Sequence, residues 1–163
     1  MQRPFDAPEA QRIRAFLSRI GIEVVAAPLP GETFLPAMTV RGGALVVDPD
    51  RLEHPGDLLH EAGHIAVTDP ALRPTLDGVA DDPGEEMAAI AWSWAALIEI
   101  GLAAEILFHP AGYRGGAQSL IDNFTNGRPI GVPLLAAFGM TAEPHRAERD
   151  GVAPYPSMTR WLR

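Results

Sequence analysis

Apolar residues recur along this chain with helical spacing in some stretches and in short unbroken runs in others. Ile13, Phe16, Leu17 and Ile20 fall at i, i+3, i+4 and i+7, while Arg12, Arg14 and Arg19 lie off that stripe. The pattern predicts an amphipathic helix over residues 7–20, with Asp6 placed to cap its start and Gly21 to end it. Ile22-Glu23-Val24-Val25 reads as a short strand, broken by the Pro/Gly-rich segment 28–31. Ala37–Val40 and Ala44–Val47 flank Arg41-Gly42-Gly43, which predicts a hairpin over 37–48. A second helix is expected from about Pro55 to Val67, with proline in its first turn.

Beyond it, residues 68–83 form a long polar stretch with three prolines, a length more often functional or mobile than idle inside a compact domain. A third helix is expected over 83–100, rich in Ala and Trp, with Gly101 as its stop. Shorter helices are expected over 102–108, 117–124 and 132–139, and then a polar tail from Thr141 that ends in Trp161-Leu162. The fold class is therefore α+β, mostly helical, with a small antiparallel hairpin ahead of the second helix. At 163 residues the chain suits one domain with one core. Residues 1–100, 101–140 and 141–163 read as a core, a helical extension and the tail.

Composition narrows the chemistry. There is no cysteine, which excludes thiol nucleophiles, iron–sulfur clusters and Cys-type zinc sites. All 13 basic residues are arginine, so Schiff-base lysines and P-loop phosphate binding are also excluded. The net charge of −8 argues against nucleic acid as a partner. No apolar run is long enough to span a membrane and the N-terminus lacks a signal-peptide core, so a cytoplasmic location is expected.

One motif carries chemistry: His60-Glu61-Ala62-Gly63-His64. Histidines at i and i+4 share a helical face and can converge on one metal ion, while Glu61 projects beside it. There Glu61 can take a proton from an attacking water and pass it to a leaving group. Leu58, Leu59, Ala62, Ile65 and Ala66 supply an apolar face to bury this helix, and Gly63, costly mid-helix by about 1 kcal/mol relative to Ala, suggests a close neighbour.

Catalytic zinc usually takes three protein ligands, and without cysteine the third must be His, Asp or Glu. The extended pattern H-E-x-x-H-x-x-G-x-x-H fails, since Val67 and Pro70 stand at its glycine and last histidine places. A glutamate from the next helix is the remaining common solution. Asp82-Pro83-Gly84-Glu85 reads as a capping box, which assigns Glu85 to the helix N-terminus and favours Glu86 as ligand, with Glu85 second and Asp81, Asp82, His109 or a residue of the tail behind. Zn²⁺ is the expected cofactor, although imidazole and carboxylate also suit other divalent ions. The glycine-rich segment 109–116 carries Tyr113 and His109, either of which can donate to a developing oxyanion.

The order of helix, strand, glycine-containing hairpin, H-E-x-x-H helix and Glu-bearing Ala-rich helix resembles the minimal gluzincins of the ImmA/IrrE type over about residues 10–100. Glu86 followed by Ile90 and Ala91 is similar to that family's Glu, aromatic-or-aliphatic, Ala pattern. The resemblance implies a zincin-like domain and a cytosolic zinc peptidase acting on regulatory proteins, with a peptide or protein as substrate. Two other readings use the same residues: a hydrolase of non-peptide amides, and a non-catalytic or regulatory metal-binding module in which the tail folds over the cleft.

Overall fold

The computed structural model describes residues 1–33 and 35–163. The first helix, α1, spans Pro8–Ile20 and buries Ile13, Phe16 and Leu17, the stripe that the spacing predicts. Gly21 closes it in the left-handed region at φ 94°, where its N–H reaches the carbonyls of Leu17 and Ser18. Asp6 does not cap α1. It lies in a 3-10 turn, Pro4–Asp6, with its carboxylate on Arg3, and Ala7 takes the N-cap place before Pro8.

Three strands follow: β1, Val24–Ala26; β2, Met38–Arg41; and β3, Ala44–Val47. β2 and β3 form the expected hairpin, with Met38 opposite Val47 and Arg41 opposite Ala44. Gly42 and Gly43 make its two-residue turn at φ 55° and 75°, a conformation that side chains with a Cβ resist. β1 then adds to β3 in parallel, pairing Val24 with Leu45, so the sheet is mixed and ordered β1-β3-β2. The stretch after the second helix is tied to this hairpin rather than loose. Gly43 N–H donates to the Leu76 carbonyl, Gly42 N–H to the Asp77 carboxylate, and Gly78 N–H to the Val40 carbonyl.

The second helix, α2, spans Asp57–Val67, two residues shorter at its start than Pro55 suggests. Gly56 takes the N-cap place with helical backbone, φ −63° and ψ −23°, and lies directly against backbone, where an added Cβ would be 1.8 Å from the Ile106 carbonyl oxygen. The third helix, α3, spans Pro83–Ile100 with Gly101 left-handed at its end, as expected. α4 (Ala104–Leu107), α5 (Ala117–Thr125), α6 (Val132–Ala137) and α7 (Pro144–Asp150) complete the chain. Trp94, Phe108 and Phe124 stack face to face and join α3 to the segment beyond it, while Trp92 is buried on the α1 side against Phe16.

The tail is polar in sequence but firmly placed. Trp161 meets Phe16 edge-on at 4.9 Å, its carbonyl accepts from Trp92 Nε1, and Tyr155 OH donates to the Ala91 carbonyl. Arg163 N–H donates to the Ala66 carbonyl at the end of α2. These contacts go to α1, α3 and the C-terminal end of α2, not across the motif histidines. No described helix is long and apolar enough to cross a membrane.

The contact that positions the motif is between α2 and α3. A Cβ added at Gly63 would lie 2.7 Å from the Ala89 carbonyl oxygen and 3.1 Å from Ser93 Oγ. The hydroxyl of Ser93, fully buried, lies between carbonyls of both helices, 3.1 Å from that of Leu59 and 2.6 Å from that of Ala89. Replacing Gly63 by Ala gains about 1 kcal/mol of helix propensity. Overpacking against backbone, which cannot rotate away, costs about 1–3 kcal/mol. The expected outcome for G63A is a net loss of stability, read as a lower denaturation midpoint in urea at unchanged slope.

Candidate metal centre

α2 runs through the interior, and ten of its eleven residues are buried, including His60, Glu61 and His64. Polar side chains so placed must find partners, because burying them unpaired is costly. His60 and His64, one turn apart, turn their Nε2 atoms toward α3. Glu86, in the first turn of α3, meets both: Oε1 lies 3.2 Å from His60 Nε2 and Oε2 lies 2.9 Å from His64 Nε2. One ligand atom from each of the three residues fits within a circle of mutual distances below 4.8 Å. These three can hold a metal ion. Two imidazoles with one carboxylate form a common catalytic zinc set, and tetrahedral zinc at its usual bond lengths sets its ligands about 3.3 Å apart, inside that 4.8 Å limit.

The other candidate ligand, Glu85, goes elsewhere. Asp82 caps α3 alone, accepting from the N–H groups of Gly84 and Glu85. The Glu85 carboxylate does not reach back to the cap as the capping-box reading expects, but lies 3.1 Å from His64 Nδ1. His64 thus stands between two carboxylates. Burial opposes its charged form, but the bonds to Glu86 and Glu85 outweigh it and raise its pKa. Hydrogen bonds from His60 and then His64 hold the Glu86 carboxyl far below the usual carboxylate range.

Glu61 is 4% exposed and one of its oxygens, Oε2, has no hydrogen-bond partner. Burial raises its pKa above the ordinary value, against the pull of His64 and His60. Tyr113 sets its ring edge-on to His60, with centroids 5.4 Å apart, and its hydroxyl is buried and unpartnered. Burial, reinforced by Asp57 and Glu86, pushes its ionisation well above the usual range, so it stays a neutral donor. Tyr113 and Arg114 both adopt left-handed backbone, at φ 56° and 53°. Strain of this kind, about 1–3 kcal/mol per residue, persists where surrounding structure enforces it and clusters at functional sites.

His109 is close by but not among the three. Its Nε2 lies 2.7 Å from Asp57 Oδ1, and its ring stacks on His54 at 3.8 Å. It ties the segment carrying Tyr113 to the first turn of α2. Asp57 is absent from the sequence reading, although it precedes His60 by three positions and Glu61 by four, and so shares their side of the helix. Of the five buried side-chain polar atoms without partners among the described residues, four belong to His60, Glu61, His109 and Tyr113. Unsatisfied groups are therefore concentrated at this one place, as expected where a ligand completes them.

The charge pattern makes a prediction for metal-free protein. A carboxyl with a depressed pKa contributes stability that is present above its unfolded value and lost as pH falls. An imidazole with a raised pKa contributes stability that is present below its unfolded value and lost as pH rises through the folded one. For Glu86 and His64 the unfolded values are 4.5 and 6.5, so their contribution is largest between those pH values. Urea denaturation in chelator should show it declining on both sides of that window, and E86Q should flatten the profile. Among known proteins, no family model, no curated sequence and no solved structure matches this chain.

Proposed function

We propose that this protein is a metal-dependent hydrolase of amide bonds, with a peptide or protein as substrate and Zn²⁺ as its cofactor. The observation that carries the reading is a buried carboxylate, Glu61, with a free oxygen, beside three side chains whose ligand atoms converge. A site built only to store or be braced by a metal needs no such group. When bound, zinc supplies a Lewis acid that polarises a scissile carbonyl and lowers the pKa of water toward about 7.

The residues then have distinct tasks. His60, His64 and Glu86 hold the ion. Glu61 takes a proton from the attacking water as the new C–O bond forms, and delivers it to the nitrogen as the C–N bond breaks. Tyr113 O–H donates to the carbonyl oxygen as negative charge builds there, in a water-poor setting where such a bond is strong. His109 and Asp57 hold the Tyr113 segment in place. The choice of a peptidase over another amide hydrolase follows the resemblance of the sequence to minimal gluzincins of the ImmA/IrrE type.

Metal analysis and hydrolysis of unstructured polypeptides and small amides test this together. Wild type should carry one zinc per chain and lose hydrolysis on chelation. E61Q should keep the zinc and lose about 10²–10⁴-fold in rate. Y113F should keep both fold and zinc and lose up to about 10²–10³-fold in kcat. A wild type with stoichiometric zinc that cleaves neither substrate class points instead to a non-catalytic metal-binding module. Cleavage of small amides alone points to the non-peptide reading.

A further inference from the structure

We infer that Glu85 is a positioning residue: it accepts a hydrogen bond from His64 Nδ1–H and so presents His64 Nε2 to the metal. The inference rests on the metal reading above and deepens it.

His64 is 2% exposed, so the orientation of its ring is set by protein contacts alone. Its Nε2 is the atom turned toward Glu86 and the shared ligand position. An imidazole that gives Nε2 to a cation carries its one remaining proton on Nδ1. That proton is buried and needs an acceptor, and Glu85 Oε1 lies 3.1 Å away. Two consecutive residues in one turn of α3 therefore take the two nitrogens of one ring. Glu86 stands on the metal side and Glu85 on the other. Asp82 caps the helix alone, which leaves the Glu85 carboxylate free for this contact.

The two histidines are unequal in this respect. His60 Nδ1 is buried with no partner, so its ring has no such brace. His64 is the ligand with a fixed tautomer and a fixed rotation.

The test compares Zn²⁺ affinity, by competition with a chelating dye, and metal-free melting temperature for wild type, E85A and E85Q. Removal of a carboxylate that orients a metal-bound histidine weakens affinity by about 10–100-fold, and that loss is expected for E85A. Gln keeps an acceptor oxygen at the same place, so E85Q should recover most of it. If Glu85 serves only the N-terminus of α3, E85A lowers the metal-free melting temperature and leaves zinc affinity unchanged, and the inference is overturned. E85Q binding as weakly as E85A overturns it too. Wild type binding zinc while E85A binds equally well removes only the role of Glu85. Wild type failing to bind zinc removes the metal reading and this inference with it.

Discussion

The site depends on how closely two helices can approach. Metal-ligand convergence is a matter of a few ångströms, and α2 and α3 meet where Gly63 faces the backbone of Ala89. Glu86 is three residues, just under one turn, before Ala89, and His60 and His64 flank Gly63. A side chain at the crossing would hold the helices apart and move the Glu86 carboxylate off the two imidazoles. Ser93 secures the same crossing, its one hydroxyl lying within hydrogen-bond distance of carbonyls on both helices. Small residues here are therefore part of the site, although none of them touches a ligand.

Much of this was legible in the sequence because the signals are local. Gly21 and Gly101 end their helices in the left-handed region, and Asp82 caps α3, as their residue types require. The pentad placed both histidines, and Glu86 was favoured over its neighbour through a capping box in which Glu85 does not take part. Elsewhere other contacts competed with the local signals. Pro55 suits a helix start, but the regular helix begins two residues later, with Gly56 as its N-cap. Asp6 suits a cap, but Arg3 holds it. Glu85 suits a capping box, but a buried imidazole nitrogen competes for it.

What the sequence could not reveal is the set of partners that arrive from far along the chain. The pairing of Asp57 with His109 joins positions 52 apart, and no spacing rule connects them. The parallel addition of β1 to β3 is equally silent, since periodicity identifies a strand without naming its neighbour. Tyr113 shows both sides of this. Its glycine-rich surroundings marked it as a candidate. Its left-handed backbone and its edge-on seat against His60 appear only in three dimensions.

The far end of α2 carries a consequence for how the protein is made. Its last carbonyls are not satisfied by neighbouring chain alone. Arg73 donates to Ile65, Ala66 and Thr68, and also to Arg163, whose own N–H donates back to Ala66. The link from Arg73 to Arg163 spans 90 positions. During synthesis the helix bearing both histidines therefore leaves the ribosome well before the residues that close its end. Trp161, which seals the core between α1 and α3, arrives equally late. The three side chains that can hold a metal ion are thus all synthesised before the residues that close the end of the helix bearing two of them.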